Sequence, residues 1–266
     1  MCAFDTLGKK KAILGMVHLG PMPGTPFYEE DSYEAAFEKA IGDAKALHEG
    51  GATGCLVQTV ERVYSTKDEA EPTRVAGVAA IVRAIAQSTG PDFQIGVQIM
   101  RNAIKASIAV AKVCGGSYVR CGALVGMTLT AHGMVEANPH DVLAYRSAIR
   151  ATGIKLIAEV DSMHFKWYGG KPVAEVARAA KHVGAEAVSL GDPDEAVTLE
   201  MIRLVRKALP DLPIILCGYT NFENTARLLA AADGAFVGTC LEKGKWGGPI
   251  DADRVRDYMA IVNNIQ

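Results

Sequence analysis

The stretch PIILCGYTNFENTARLLAAADGAFVGT, residues 213–239, decides the fold. An apolar run at 213–217 ends at a glycine, a helix-like run follows at 222–231, and a second apolar run follows at 234–237. Continuous apolar runs of this kind are typical of parallel strands that are covered on both faces. The stretch therefore predicts a strand–helix–strand unit with parallel strands.

The same alternation recurs along the whole chain. Strand-like runs occupy residues 12–19, 54–60, 93–100, 118–124, 155–160, 187–190, 213–217 and 234–237. Helix-like runs occupy residues 33–49, a segment from about 72, 103–113, 139–151, 173–183, 195–208, 222–231 and 251–262. Eight such units in 266 residues predict a single (β/α)8 TIM barrel domain over residues 1–266, because that fold needs roughly 250 residues. An open doubly wound sheet is disfavoured because no GxGxxG turn follows the first strand.

Composition narrows the classes of partner. The formal net charge is −2, so the sequence lacks the excess of basic residues typical of proteins that bind nucleic acid. No apolar run is long enough for insertion into a membrane. The six cysteines are scattered without a CxxC motif, which favours free thiols and a cytoplasmic location. We expect a homo-oligomer, since barrels of this type often associate through their outer helices.

Catalytic groups of such barrels follow the carboxyl ends of the strands. After the last two strands, glycines beside hydroxyl-bearing residues predict a phosphate site built from exposed backbone N–H groups. Glycine after a strand is also ordinary turn chemistry, so a structural turn is the alternative. The predicted phosphate-binding residues are Gly218, Tyr219, Thr220, Gly238 and Thr239.

A second group of polar residues follows the first and fifth strands. His18, Glu159, Asp161 and His164 are the candidate catalytic residues, because alternation sends Glu159 and Asp161 to one face and places His164 just beyond them. Glu159, Asp161 and His164 could also bind a divalent metal, although their spacing is not a strong metal motif. A further alternative is that one carboxylate pairs with Arg101 or Arg120 inside the barrel.

Other polar residues at the same rim are candidates for holding a substrate. Arginine suits bidentate recognition of an anionic group, and the long connection at 125–138 has the character of a binding loop. The candidate substrate-binding residues are Gln98, Arg101, Arg120, His132 and Asp192.

Several stretches resemble the BtpA/SgcQ family. They are GMVHLGPMPG at 15–24, VQIMRN at 97–102, YVR at 118–120, DGAFVGT at 233–239 and LEKGKW at 241–246. The resemblance implies a (β/α)8 barrel similar to phosphate-binding barrels. The family's names derive from photosystem I assembly and from a sugar-metabolism operon. The chain departs from the usual family pattern at Gln58-Thr59, Gln98, Glu159-Val160-Asp161 and the 190–193 segment.

Two functions are therefore expected. The first is an enzyme that acts on a small phosphorylated or anionic sugar-like metabolite by acid–base chemistry, with or without a metal, of the isomerase, epimerase or lyase type. The second is a noncatalytic assembly or regulatory factor of the BtpA type. The number of ionisable side chains at one rim favours the enzyme.

Overall fold

Eight parallel strands close into a barrel within residues 10–265, the part of the chain that this computed structural model describes. Cys2 and Lys9 lie outside the described residues. The strands are β1 (Ala12–Leu19), β2 (Gly54–Thr59), β3 (Gln94–Gln98), β4 (Tyr118–Cys121), β7 (Lys155–Asp161), β8 (Ala187–Leu190), β9 (Ile214–Leu216) and β10 (Gly234–Val237). Their order around the barrel is β1-β10-β9-β8-β7-β4-β3-β2.

A helix follows each barrel strand, as the alternation predicts. The helices are α1 (Ser32–Glu49), α2 (Pro72–Thr89), α3 (Ile104–Cys114), α4 (Pro139–Ala148), α5 (Val173–His182), α6 (Glu195–Ala208), α7 (Thr225–Ala231) and α8 (Ala252–Asn263). The (β/α)8 prediction is confirmed. None of the helices between residues 10 and 265 combines the length and the apolar character needed to cross a bilayer.

The connection between β4 and α4 contains an antiparallel hairpin that the sequence pattern does not predict. Its strands are β5 (Met127–Thr130) and β6 (Gly133–Glu136), joined by a turn at Ala131 and His132. Each strand has four residues, and only Thr128 and Val135 are buried, so the apolar signal is weak. The 125–138 connection is thus a hairpin that lies at the catalytic end of the barrel.

Large and small side chains fill the barrel interior in a complementary way. Tyr118 is fully buried and its hydroxyl donates to the Cys55 carbonyl at 2.7 Å. Its ring occupies the space beside Gly96, where an added Cβ would lie 2.1 Å from ring atoms. The apolar interior layer consists of Leu14, Met16, Leu56, Tyr118, Ile157, Ala187, Ile215 and Phe236.

Two residues further along each strand, the interior becomes polar. Strand alternation returns side chains to the same inner face at every second residue. The layer above the apolar one contains His18, Gln58, Gln98, Arg120, Glu159, Ser189 and Cys217. The barrel therefore has a closed apolar floor and a polar mouth at the carboxyl ends of its strands.

Candidate active site

A cavity of about 610 Å³ opens at this polar mouth. The residues that line it lie on or just after seven of the eight barrel strands, and Phe236 of the apolar layer forms part of its base. Among the predicted site residues, those that line it are His18, Arg120, His164, Gly218, Tyr219, Thr220, Gly238 and Thr239. The structure thus brings the predicted phosphate residues and both histidines of the candidate catalytic group around one space.

The turn after β9 presents unused donors at this cavity. The backbone N–H groups of Gly218, Tyr219 and Thr220 have no hydrogen-bond acceptor within residues 10–265. Gly218 and Tyr219 both have positive φ angles, 111° and 62°, and the Asn224 side chain donates to the Tyr219 carbonyl at 2.8 Å. A left-handed tyrosine costs of order 1–3 kcal/mol, a cost that proteins keep mainly at functional sites.

The turn after β10 lies beside the turn after β9 and lines the same cavity. Gly238 and Thr239 both line the cavity, and the 3₁₀ turn Thr239–Leu241 begins there. Because β9 and β10 are adjacent in the barrel, the two turns face the cavity side by side. An arrangement of free N–H groups beside glycine and threonine can cradle an anion.

Arg120 extends from β4 into the cavity and is held from behind by Glu159. Its Nη2 lies 3.0 Å from Glu159 Oε1, and its guanidinium lies over the Phe236 ring with 5.0 Å to the ring centre. The Ser162 hydroxyl also donates to Glu159. Glu159 is buried and does not line the cavity. The structure therefore realises the carboxylate–arginine pair that the sequence left open as an alternative.

Asp161 does not share the environment of Glu159. The pairing of β7 with β8 is irregular between these two residues, so the strict alternation expected from the sequence does not reach Asp161. The Asp161 carboxylate instead lies 2.6 Å from Lys166 Nζ. Across residues 10–265, no three histidine, cysteine, aspartate or glutamate side chains form a group that could hold a metal ion. Glu159, Asp161 and His164 are thus not assembled as a metal-ligand set.

His164 lies between the cavity and a smaller recess and belongs to the walls of both. Burial lowers the pKa of its imidazole, and the positive charges of Arg120 and Arg101 lower it further, while Glu159 acts in the opposite direction. The imidazole is therefore neutral near pH 7, which leaves one ring nitrogen free to accept a proton.

His18 lies close to the carboxylate of Glu242, a contact that the sequence pattern does not predict. Its Nδ1 lies 3.7 Å from Oε1 of the buried Glu242, whose Oε2 accepts from the Gly247 N–H at 2.9 Å. The Trp246 ring lies 5.5 Å from the imidazole. Glu242 follows the 3₁₀ turn and precedes a glycine-rich loop, so only the return of that loop to β1 reveals the contact.

A second cavity of about 600 Å³ opens on the other side of His18. Its walls include Phe27, Trp246, Lys39 and Arg62. His18 lines both large cavities and so separates them.

Arg101 and His132 line the smaller recess, which has a volume of about 250 Å³, together with Lys166 and His164. His132 Nε2 lies 3.1 Å from the Arg62 carbonyl, which holds the hairpin turn against the loop after β2. The Arg101 guanidinium lies over the Tyr64 ring at 5.2 Å. Both residues are thus at the mouth but outside the main cavity.

Gln98 and Asp192 are placed near the site without lining the cavity. Gln98 is buried and accepts from Gln58 Nε2 at 2.6 Å, and Gln58 does line the cavity. Asp192 organises the start of α6, since its Oδ1 accepts from the Asp194 N–H at 3.0 Å and its own N–H donates to Thr198. Their observed contacts are structural.

Cys217 and Tyr219 add protonated groups to the cavity wall. Burial raises the pKa of the Cys217 thiol to about 12 and raises the pKa of the Tyr219 phenol above its ordinary value. A thiol with that pKa is not a thiolate near neutral pH, so Cys217 lacks the activation of a cysteine nucleophile. The imidazoles of His18 and His164 are accordingly the cavity-lining groups best suited to proton transfer.

Three relatives match this chain over nearly its whole length. An uncharacterized protein of Archaeoglobus fulgidus is 30% identical, covering 93% of this chain and 96% of its own. The photosystem I biogenesis protein BtpA of Synechocystis sp. is 25% identical, covering 97% of this chain and 90% of its own. The sgc region protein SgcQ of Escherichia coli is 24% identical, covering 98% of both chains.

Solved structures with the same fold include several enzymes. Mycobacterium tuberculosis tryptophan synthase has a TM-score of 0.64 at 18% identity, covering 97% of this chain and 96% of that one. Thiamine phosphate pyrophosphorylase from Pyrococcus furiosus has a TM-score of 0.57 at 17% identity, covering 95% and 96%. Phosphoribosyl anthranilate isomerase from Thermus thermophilus has a TM-score of 0.55 at 14% identity, covering 96% and 100%. Likeness at these identities shows the fold alone.

The family relation rests on the sequence itself. The sequence profile of the BtpA family matches residues 9–264, a span that includes every barrel strand, the turns after β9 and β10 and the loop that carries Glu242. The chain therefore belongs to the BtpA family.

Proposed function

We propose that the chain is an enzyme that acts on a small phosphorylated, sugar-like metabolite by acid–base chemistry of the isomerase, epimerase or lyase type. One observation carries the proposal. A single cavity at the carboxyl ends of the strands combines two histidines and a guanidinium with unused backbone donors at Gly218–Thr220. A noncatalytic scaffold has no need for that combination.

The phosphate group of the substrate would bind at the turns after β9 (Gly218–Thr220) and β10 (Gly238 and Thr239), which together form what we call the phosphate wall. Backbone N–H groups that have no internal acceptor gain hydrogen bonds when an anion arrives, and Thr239 adds a hydroxyl group to the same wall. Phosphate bound there would fix the rest of a small metabolite over Phe236, between His18 and His164.

The two histidines would divide the proton transfers. His164 is neutral and would accept a proton from a carbon next to a carbonyl, while His18, whose Nδ1 lies 3.7 Å from the Glu242 carboxylate, would return or donate a proton on the other side. Arg120 would stabilise the negative charge that develops on the substrate oxygen. Glu159 was a candidate base in the sequence, but its contacts with Arg120 and Ser162 favour a role in positioning Arg120.

The names of two structural neighbours are consistent with a phosphorylated substrate. Thiamine phosphate pyrophosphorylase and phosphoribosyl anthranilate isomerase are named for phosphorylated compounds. They are 17% and 14% identical to this chain, which shows a shared fold but assigns no role to any residue. The cavity therefore remains the main support for the proposed activity.

A thermal-shift panel tests the phosphate site. Sugar phosphates are compared with the same sugars without phosphate, using the wild-type chain and Thr239→Asp, which places a negative charge at the phosphate wall. A ligand at a hundredfold excess over its Kd stabilises the folded state by about 2.7 kcal/mol, a readily measured rise in Tm. We expect shifts from phosphorylated compounds only, their loss in Thr239→Asp and their retention in the matched control Thr239→Ser.

A second candidate function is favoured by the Synechocystis relative, whose name describes photosystem I biogenesis. An assembly factor would bind a protein partner, and that binding would be indifferent to substitutions inside the cavity. If the chain converts a ligand that raises its Tm, and His164→Asn abolishes that conversion, the result supports the enzyme. Equal shifts with phosphorylated and unphosphorylated sugars, or none, would remove the basis for the enzyme and leave the assembly factor.

A further inference from the structure

Arg101 is half-buried and differs from the buried arginines of the barrel in having no ion-pair partner among the described residues. Arg120 pairs with Glu159 at 3.0 Å, Arg146 pairs with Glu186 at 2.7 Å, and Arg74 contacts Glu61. Within residues 10–265 the Arg101 side chain has neither a carboxylate at ion-pair distance nor a hydrogen-bond acceptor, and its Nε is buried. Partial burial of a charge without an ion pair carries a desolvation cost, which a bound anion would offset.

The recess beside Arg101 is built for an anion rather than for an apolar group. Arg101, Lys166 and two histidines line it, with hydroxyl-bearing Thr128 and Thr130 of the hairpin. No aspartate or glutamate is among the described residues that line it. Lys166 is already paired with Asp161, and Glu159, which attracts Arg101 from a distance, is paired with Arg120. Arg101 is therefore the cation of this recess without an ion-pair partner among the described residues.

The position of the recess relates it to the phosphate wall. Arg101 follows β3, and the donor turn follows β9, which lies four strands away and so opposite β3 in the eight-stranded ring. The recess and the main cavity share Met163 and His164. A ligand that spans the mouth from one anion site to the other must therefore pass His164.

We infer that the substrate carries two anionic groups, a phosphate at the turns after β9 and β10 and a second phosphate or carboxylate at Arg101. This inference rests on the proposed function, because it uses the same phosphate wall and the same histidine. His164 then lies between the two ends of the bound molecule, where a carbon-bound proton can be reached. Sugar bisphosphates and phosphorylated sugar acids are compound classes that carry two such anionic groups.

Crystals soaked in tungstate, a tetrahedral dianion with a strong anomalous signal, test the inference. Wild-type crystals should show one tungstate beside Gly218–Thr220 and one beside Arg101. In Arg101→Gln the second peak should disappear and the first should remain, since loss of a charge-assisted hydrogen bond weakens binding about 10- to 100-fold. The matched control Arg178→Gln, at an exposed arginine, should keep both peaks.

The outcomes separate the inference from the proposed function. A tungstate at the β9–β10 turns alone, or a recess peak that survives Arg101→Gln, overturns the second anion site and leaves the proposed function intact. A tungstate in the recess alone overturns the phosphate wall and, with it, the two-anion substrate. Absence of both peaks overturns both.

A stability measurement excludes a structural role for Arg101. Because no carboxylate among the described residues pairs directly with Arg101, Arg101→Gln should melt without ligand at the wild-type Tm or above it. A Tm several degrees below wild type would mean that Arg101 holds the fold together, which contradicts the inference.

Discussion

At the scale of single residues, His164 connects the electrostatics of the mouth to a measurable pH dependence. Burial and two arginines lower its pKa below the ordinary 6.5, so the unfolded chain binds this proton more readily than the native one. The stability that neutral His164 contributes is present above pH 6.5 and is lost as pH falls through the lower native pKa.

We therefore expect the wild type to lose more Tm between pH 7 and pH 5 than His164→Asn does. Thermal denaturation across that range measures the difference. His140→Asn, at an exposed histidine, serves as the control and should follow the wild type. Parallel pH profiles for wild type and His164→Asn would contradict the description of His164 as buried and neutral.

Gly96 makes a second prediction at this scale. An alanine there would place its Cβ 2.1 Å from the fully buried Tyr118 ring, whose hydroxyl is fixed by Cys55. Overpacking of this kind costs typically about 1–3 kcal/mol. Urea denaturation should show that loss for Gly96→Ala and almost none for Gly153→Ala, where an added Cβ meets nothing within 4 Å. Equal midpoints would show that the barrel interior tolerates the extra atom.

Sequence patterns located residues at the mouth better than they assigned partners. His18, Arg120, His164 and the residues of the two glycine turns could be placed there because each follows a recognisable apolar run. Glu242 was missed because its contact with His18 depends on a loop that folds back over more than 200 residues of chain. Which arginine lacks a carboxylate is likewise decided only by side-chain packing.

At the scale of elements, the β5–β6 hairpin positions the loop that carries His164. Thr128 Oγ1 accepts from the Lys166 N–H at 3.1 Å, and the Met127 carbonyl accepts from the Tyr168 N–H at 2.8 Å. The hairpin was not predicted, since its short, half-exposed strands give little periodicity. Its contacts nevertheless join two loops of the mouth into one wall.

Thr128→Ala should loosen that wall. Removing one hydrogen bond costs roughly 1 kcal/mol, which corresponds to about a fivefold increase in local opening. Hydrogen exchange of residues 162–168 should accelerate accordingly. Thr130→Ala is the matched control, because the Thr130 hydroxyl bonds only within the hairpin, to Gly133 and His132. Equal exchange in the two variants would show that the hairpin does not hold the loop.

At the scale of the whole molecule, the fold was predictable because parallel strands covered on both faces appear as continuous apolar runs. Ile214–Leu216 and Gly234–Val237 are buried throughout, as their sequences indicate. The barrel order in turn sets the functional geometry, since β9 and β3 lie opposite each other, as do β1 and β7. The two proposed anion sites and the two histidines therefore alternate around the carboxyl end of the barrel.

The proposed activity is transfer of a proton on a phosphorylated metabolite by residues at the carboxyl ends of the barrel strands. The most direct measurement incubates the wild-type chain in D₂O with each phosphorylated sugar that raises its Tm and follows carbon-bound deuterium by NMR. We predict incorporation of deuterium at one carbon by the wild type, and a loss of at least 100-fold in His164→Asn, since general acid–base catalysis contributes typically 10²–10⁴-fold. Bound ligands that exchange no proton, or an equal rate in His164→Asn, would contradict the claim.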